Sequence, residues 1–257
     1  MIEEADGSGI VTDRLLDGRL VLRQPVKGHR AGTDAVLLAA ATKAQDGLLI
    51  DAGAGVGTAG LIVALRAPRL MLELVDKDRL AVELAGENLI LNGAAGRGRA
   101  VLADLLSAAS RRTAGLADNR ADHLITNPPF YHAGRTRISP DARKADAHVA
   151  AGIDEKPLMR WLAAAAALLT PGGELTMIHR ADCLAAVLEA CAGRFGDVAI
   201  MPVYPRRAGA ATRILVRGRK GSRGPLRIAP GLVLHEDDGR FTAFAEALHR
   251  GAAQIEL

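Results

Sequence analysis

The 257-residue chain has 33 basic and 29 acidic residues, a formal net charge of +4 at pH 7, and a hydrophobic fraction of 49%. These proportions are typical of an ordinary globular protein, and the small basic excess permits a polyanionic partner without requiring one. The longest apolar run, Trp161 to Leu169, is far shorter than a membrane-spanning helix, and the acidic N-terminus lacks the basic leader of an exported protein. We therefore expect a cytoplasmic protein without a membrane segment.

The chain begins with a predicted β-hairpin. In LLDGRLVLRQ, residues 15–24, Asp17 and Gly18 separate two apolar runs, a pattern typical of a tight turn between antiparallel strands. A regular alternation follows, in which short apolar runs are separated by alanine- and leucine-rich stretches of helical period. The runs are GLLIDAG, LMLELVD, RAVLAD, DHLITN and GELTMIH. Such alternation predicts a parallel sheet with helices on both faces.

The C-terminal third departs from this alternation. Two apolar runs, VAIMPVY and ATRILVRGR, predict an antiparallel pair of strands, and the tail predicts one or two small strands and a short helix. Cys183 and Cys191 lie eight residues apart in a segment of helical pattern, about two turns of helix, so we expect free thiols in a reducing compartment.

Polar side chains follow four of the predicted strands. Asp51, Asp76, Asp104 and Asn127 are separated by 25, 28 and 23 residues, about one strand-helix-strand unit each. They therefore fall at the carboxyl edge of the sheet, where open α/β sheets bind their ligands. The seven histidines show no metal-ligand spacing, so no metal site is predicted.

A glycine-rich turn follows the first of these strands. In DAGAGVG, Gly53, Gly55 and Gly57 permit positive φ and let backbone amides approach a ligand closely. By itself this pattern leaves alternatives open, because Gly55, Gly57 and Gly60 also fit the dinucleotide-binding fingerprint, with Asp76 as its ribose acid. A turn that only packs a helix against a strand is a further alternative.

The next two strand ends each carry a candidate ligand. A carboxylate at Asp76 can accept hydrogen bonds from both hydroxyls of a ribose, while the neighbouring Asp78 can cap the following helix. Asp104 is suited either to accept a hydrogen bond from an adenine amine or to cap a helix.

The fourth strand ends in Asn127, Pro128, Pro129 and Phe130. Consecutive prolines form a stiff corner whose carbonyls are not committed to the sheet. The Asn127 side-chain oxygen and the Pro128 carbonyl can both accept from a planar amine, and Phe130 offers a face on which its ring can stack. Tyr131 and His132 either line this pocket or belong to an ordinary loop. A proline-rich turn without function is the alternative.

The ordered motifs resemble those of class I S-adenosylmethionine-dependent methyltransferases over roughly residues 47–217. The resemblance implies S-adenosyl-L-methionine as cofactor, with its methionine and ribose facing a turn formed by Asp51, Gly53, Gly55 and Gly57. It assigns the ribose hydroxyls to Asp76 and the adenine to Asp104. The Asn-Pro-Pro-aromatic motif resembles that of enzymes that methylate planar nitrogens, namely adenine N6, guanine N2 and glutamine, and implies that Asn127 also borders the cofactor.

The segment before the glycine turn carries a second resemblance. It is similar to the corresponding segment of the small bacterial methyltransferases related to the tRNA1(Val) adenine-37 N6-methyltransferase. The matching residues are Gln24, Gly28 and Gly32 to Leu38. Thr33 or Asp34 would cap a helix that begins near Ala35 and lies over the cofactor. Phe130 departs from the tyrosine that is frequent at its position.

Together these features predict an α/β, Rossmann-like class I methyltransferase fold with a mostly parallel seven-stranded sheet. Residues 1–46 would form the hairpin and covering helix, residues 47–220 the core, and residues 221–257 a small C-terminal extension. The expected reaction is N6-methylation of adenine in tRNA or other structured RNA. Phosphates would be contacted by basic loops near the following arginines: Arg135, Arg143, Arg206 and Arg217 to Arg223.

Three alternatives stay open at this stage. They are a small-molecule O- or N-methyltransferase, a protein glutamine methyltransferase, and a non-catalytic RNA-binding protein that retains the fold. The oligomeric state is left undetermined by the sequence.

Overall fold

The computed structural model describes residues 9–26, 32–129 and 157–257. Several predicted positions lie outside the described residues, namely Gly28, Phe130, Tyr131, His132, Arg135 and Arg143.

The predicted hairpin is confirmed. Strands β1 (Ile10–Leu15) and β2 (Leu20–Pro25) pair antiparallel around a turn in which Asp17 and Gly18 both have positive φ. Gln24, one of the residues of the second resemblance, is buried in the hairpin and donates a hydrogen bond to Asp13.

The hairpin is held against the body of the protein by two asparagines. Asn88 accepts from the Arg23 amide at 2.7 Å and donates to the Arg23 carbonyl at 3.0 Å, and Asn92 bonds the Val21 amide and carbonyl in the same way. Each side-chain amide thus satisfies backbone groups on one edge of β2, as a neighbouring strand would.

The main sheet is mostly parallel, as predicted. Among the described residues it has nine strands in the order β10-β8-β9-β7-β6-β3-β4-β5, with β11 paired to β8. Seven of these match the predicted strands, and their bounds are β3 Leu48–Ala52, β4 Met71–Asp76, β5 Gly98–Leu102, β6 Ala121–Thr126, β7 Leu169–Arg180, β8 Phe195–Arg206 and β9 Arg213–Lys220. The two short strands β10 (Arg227–Ile228) and β11 (Leu232–His235) extend the sheet beyond β8.

The last long strands give the predicted antiparallel pair. β9 runs antiparallel to both β7 and β8, so Arg213 pairs with Arg180 at the carboxyl edge of the sheet and Arg219 pairs with Glu174 near the opposite edge. The remaining pairs in the sheet are parallel.

Helices cover both faces of the sheet, as predicted. Their bounds are α1 Thr33–Ala41, α2 Thr58–Arg66, α3 Arg79–Leu91, α4 Ala108–Thr113, α5 Pro157–Leu168, α6 Leu184–Cys191 and α7 Ala243–His249. Successive residues of β3 point to opposite faces: Leu49 joins a core with α1, α2 and α7, whereas Ile50 joins a core with α5 and α6. This alternation decides which face of the sheet each side chain at a strand end points to. Both cysteines are free, as expected.

Within the described residues, no helix combines the length and apolar character needed to cross a bilayer.

Candidate cofactor and substrate cleft

A cleft with a volume of about 1080 Å³ lies at the carboxyl edge of the parallel strands. Its walls come from the glycine turn, the ends of β4, β5 and β6, and the beginning of α1. Small-molecule and cofactor sites usually have volumes of about 300–1,000 Å³, so this cleft has room for a nucleoside cofactor and part of a second ligand.

Most of the predicted site residues meet in this cleft. The residues that line it are Thr33, Asp34, Asp51, Gly53, Gly55, Asp76, Asp104, Asn127, Pro128 and Pro129. The strand spacing brought them together because each residue follows a parallel strand or begins the helix above it.

Gly57 is the exception among the described candidates, because it does not line the cleft. It is the N-cap of α2 with φ of 91°, and a Cβ atom there would lie 2.5 Å from the Leu74 side chain. Its role as a cofactor contact stays a prediction, while the structure gives it a packing role. The residue must be glycine because it turns the chain into α2 and packs against β4.

Asp51 is buried beneath the glycine turn. Its Oδ2 accepts a hydrogen bond from the Gly60 amide at 2.9 Å, in the first turn of α2. Burial raises the pKa of Asp51 to about 7; the hydrogen bond from Gly60 opposes this rise and the charge of Asp76 adds to it. The side chain therefore ties α2 to β3 at the bottom of the cleft, and its carboxyl group titrates close to neutrality.

Asp76 is bonded to the turn that it faces. Its Oδ2 accepts from the Gly55 amide at 2.8 Å, and its Oδ1 accepts from the Asp78 amide at 2.9 Å. A carboxylate offers about four acceptor positions, so each oxygen keeps one position for a ligand hydroxyl. Asp78 caps α3 through the Ala81 amide, as predicted.

Asp104 follows β5 and its side chain is exposed. Its Oδ1 accepts from the Leu106 amide at 2.9 Å, while α4 is capped by Ser107. The helix-cap alternative for Asp104 is therefore wrong. Asp104 follows the strand next to that of Asp76, whose carbonyl accepts from the Ala103 amide at 2.9 Å, and the cleft around them includes the exposed apolar residue Leu80. An apolar surface of this kind, with acceptors nearby, suits a planar heterocycle.

The beginning of α1 lies over the cleft, but neither predicted residue caps it. The N-cap is Gly32, which has no side chain to supply a cap. Thr33 Oγ1 lies 3.2 Å from His249 Nε2, and Asp34 forms a 3.0 Å ion pair with Arg213. Both side chains therefore connect α1 to the C-terminal part of the chain while still lining the cleft.

The acceptor corner at the end of β6 consists of Asn127, Pro128 and Pro129. Asn127 is half-buried, Pro128 is buried and Pro129 is exposed. The Asn127 Oδ1 atom is buried and has no hydrogen-bond partner among the described residues. Buried polar atoms are seldom left without a partner, and each such atom calls for a specific explanation.

Trp161 also lines the cleft and was missed as a site residue. In the sequence it stands within an apolar run of a predicted helix, where an apolar residue is expected and nothing distinguishes it as a site residue. The available signal was that it is the sole tryptophan of the chain.

The predicted phosphate-contacting residues that the structure describes lie on two different edges of the sheet. Arg206 ends β8 at the carboxyl edge and is exposed, whereas Arg217 to Lys220 end β9 at the opposite edge. Arg217 is mostly buried and faces Glu174 at 3.8 Å, and Lys220 donates to Asn119 and to the Leu169 carbonyl. Arg217 and Arg219 therefore lie in strand β9, as the run ATRILVRGR predicted, and a basic loop near Arg217 to Arg223 is left only to the residues after Lys220.

No group of three or more His, Cys, Asp and Glu side chains that could hold a metal ion is found in the described parts of the chain.

Comparison with known proteins places this cleft in a family context. The model of the methyltransferase small domain matches residues 30–144. A tRNA1(Val) (adenine(37)-N6)-methyltransferase of Dyadobacter fermentans is 31% identical over 165 residues, which cover 64% of this chain and 64% of that protein. A release factor glutamine methyltransferase of Chlorobaculum tepidum is 30% identical over 159 residues, or 61% of this chain and 53% of that protein. The chain thus spans less than two thirds of the length of these two curated relatives.

A solved structure matches over a larger part of its length. The crystal structure of a predicted O-methyltransferase from Agrobacterium tumefaciens is 31% identical, with a TM-score of 0.71, and the match covers 86% of this chain and 98% of that chain. The expected fold, family and cofactor are confirmed. The chain belongs to the class I methyltransferases that use S-adenosyl-L-methionine, and its residues 30–144 match the methyltransferase small domain.

Proposed function

We propose that this protein transfers a methyl group from S-adenosyl-L-methionine to the exocyclic N6 of adenine in tRNA or another structured RNA. The observation that carries the proposal is the Asn127 Oδ1 atom, a buried acceptor without a described partner in the same cleft as the glycine turn. An exocyclic amine has two N–H donors, one of which would satisfy this oxygen.

The cofactor would occupy the part of the cleft formed by the glycine turn, Asp76 and Asp104. Asp76 has one acceptor position left on each oxygen, which is the number needed for the two hydroxyls of a ribose. Asp104 and the apolar wall at Leu80 suit the adenine ring. When bound, the cofactor supplies an electrophilic methyl group on a sulfonium.

The acceptor corner would hold the nucleophile. Hydrogen bonds to Asn127 Oδ1 and to the Pro128 carbonyl orient the amine and favour rehybridisation of its nitrogen as the new N–C bond forms and the S–C bond breaks. The proton released from the nitrogen leaves to water, so no side chain is needed as a base. Phe130, outside the described residues, is proposed to stack on the base.

An RNA substrate is supported by the relative from Dyadobacter fermentans, whose name specifies adenine-37 of a tRNA. The adenine would leave its stack to enter the cleft, as in other enzymes that modify bases. Arg206 is exposed at the carboxyl edge of the sheet, the edge that carries the cleft, and is proposed to contact phosphates, together with Arg135 and Arg143. Arg219 and Arg223 lie near the far end of β9, about 25 Å away along an eight-residue strand, and would contact only a long or folded RNA. The cytoplasmic location expected from the sequence belongs to this proposal.

The test is incubation with labelled S-adenosyl-L-methionine and total RNA, followed by identification of the methylated nucleoside by mass spectrometry. We expect N6-methyladenosine. Product in a small molecule or in glutamine, with none in RNA, would replace the proposed substrate by one of the alternatives.

The role of the corner is tested by Asn127→Ala. Turnover should fall by roughly 10²- to 10³-fold, as for loss of one preorganised polar group, with cofactor affinity nearly unchanged. Asn119→Gly is the control: Asn119 has φ of 54°, which glycine tolerates, and its side chain bonds Lys220 at the other edge of the sheet. Wild-type turnover in Asn127→Ala would remove this residue from the mechanism.

A further inference from the structure

Trp161 lines the cleft and contacts both the glycine turn and the strand that leads to the acceptor corner. It belongs to α5, is 8% exposed, and its ring lines the cleft beneath the glycine turn and the acceptor corner. None of the roles proposed above uses it.

The indole is joined to both strand ends by a chain of two hydrogen bonds. Its Nε1 donates to Thr126 Oγ1 at 3.0 Å, and Thr126 Oγ1 donates to the Ala52 carbonyl at 2.7 Å. Chemistry fixes this direction: an indole N–H is only a donor, so the hydroxyl must accept from it and give its own proton to the carbonyl. Thr126 and Ala52 are fully buried and stand opposite each other in the β3–β6 pairing.

The residues that follow these two partners carry the proposed function. Thr126 directly precedes Asn127, and Ala52 directly precedes Gly53. The ring also contacts the turn itself, since a Cβ atom on Gly53 would lie 3.2 Å from Trp161 Cζ2 and 3.3 Å from Cη2. A single side chain therefore limits the movement of the cofactor turn and of the acceptor corner relative to each other.

We propose that Trp161 and Thr126 are positioning residues that fix the separation between the glycine turn and the Asn127 corner. The inference rests on the proposed function, because methyl transfer needs the methyl carbon and the nitrogen aligned within a fraction of an ångström. Neither residue supplies an atom to the reaction. Their effect is on the fraction of bound complexes that are ready to react, since misplacement by about 1 Å can lower a rate about 100-fold.

The test compares Thr126→Val, which removes the hydroxyl but keeps the shape, with Thr126→Ser, which keeps the hydroxyl. We expect kcat of the valine variant to fall by about 10- to 100-fold, with the dissociation constant of S-adenosylhomocysteine changed less than about threefold. The serine variant should retain most of the wild-type kcat. Trp161→Phe, which keeps a ring against Gly53 but lacks the N–H, should reproduce the loss in kcat.

A merely structural role is excluded by a matched control. Thr170 Oγ1 donates to the Ala121 carbonyl at 3.1 Å, where β6 begins at the opposite edge of the sheet. Thr170→Val removes a similar hydrogen bond, from a threonine hydroxyl of β7 to a carbonyl of the neighbouring β6, and should lower stability without lowering kcat. Because the chain has one tryptophan, its single indole N–H resonance reports directly whether the bond to residue 126 is present.

The two possible failures are distinguishable. Absence of any methylated product with the wild-type protein would refute the proposed function. A wild type that is active, with a valine variant whose indole resonance has shifted but whose kcat is unchanged, would overturn the positioning role alone. A kcat loss shared equally by Thr126→Val and Thr170→Val would also overturn it, because the effect would then follow stability.

Discussion

Replacement of Asp51 by asparagine should change how the stability of the protein depends on pH. The carboxyl group is 2% exposed, and burial raises its pKa from the ordinary value of 3.8 to about 7. The folded protein therefore holds this proton more tightly than the unfolded chain does. Stability from this group is complete below about pH 4, is lost as pH rises to about 7, and is constant above that.

The size of the effect follows from the shift. A difference of about three pKa units corresponds to roughly 4 kcal/mol at full titration, with a slope of about 1.4 kcal/mol per pH unit between the two pKa values. The asparagine of the variant would keep an oxygen that can accept from the Gly60 amide but would carry no charge at any pH. The wild type should therefore lose about 3 kcal/mol relative to Asp51→Asn between pH 5 and pH 8.

The assay is urea unfolding of both proteins at half-unit steps of pH, and the quantity to plot is the difference in unfolding free energy. The difference is needed because burial lowers the pKa of His123 and His179. These histidines stabilise the fold above about pH 6.5, and their contribution is lost as pH falls, opposite in sign to Asp51. The histidine contribution is common to both proteins and cancels. Parallel profiles between pH 5 and pH 8 would refute the conclusion that burial controls the Asp51 carboxyl.

Three further predictions concern the turn and the hairpin. Asp76→Ala should weaken cofactor binding by calorimetry, whereas Ser107→Ala, which removes the N-cap of α4 outside the residues that line the cleft, should cost about 1 kcal/mol of stability and leave affinity intact; equal affinities in both would remove Asp76 from the site. Gly57→Ala should lower the free energy of unfolding by about 1–3 kcal/mol because of its positive φ and the Leu74 contact. Gly55→Ala, whose added Cβ would meet no described atom within 4 Å, should lower it less, and the reverse order would contradict this account. Asn88→Ala should lower the free energy of unfolding by at least about 2 kcal/mol, because it leaves backbone groups of the hairpin and the Val56 carbonyl without their Asn88 partner. A loss below about 0.5 kcal/mol would show that the hairpin is held by other contacts.

The sequence was sufficient to locate the cleft because its signal is local and repeated. Asp51, Asp76, Asp104 and Asn127 each follow an apolar run, and parallel strands must end at one edge, so the spacing alone brings these residues together. No distance had to be known.

The roles of individual residues within the turn were harder to predict. Gly53, Gly55 and Gly57 look equivalent in the sequence, but Gly57 is directed at Leu74 from a different strand, and only the packed structure reveals this. Asp34 is bound by Arg213, 179 residues later in the chain, so its prediction as a helix cap lacked the partner that decides its conformation. Long-range pairs of this kind leave no periodic signal.

The position of the basic residues Arg217 to Lys220 could have been predicted from the sequence. Once the last two long strands are taken as antiparallel, the C-terminal end of β9 must lie at the opposite edge from the ends of β3 to β7. Arg217 to Lys220 then lie away from the cleft by topology alone. The spacing of basic residues in the sequence located the cluster, but only the direction of the strand shows which edge of the sheet carries it.

The two parts of the cleft differ in how completely their polar groups are satisfied before any ligand is present. On the cofactor side, Asp51 and Asp76 both accept from backbone amides of the turn and helix that they hold, so the turn is already shaped for a ligand. On the acceptor side, the Asn127 oxygen is buried without a partner among the described residues. A buried acceptor of this kind costs folding free energy, and a donor that enters the corner recovers it. The free energy gained is therefore specific to ligands that bring an N–H or O–H donor to that position. An exocyclic amine brings two donors, which matches the two proposed acceptors of the corner, whereas a hydroxyl brings one, and this favours an amine nucleophile.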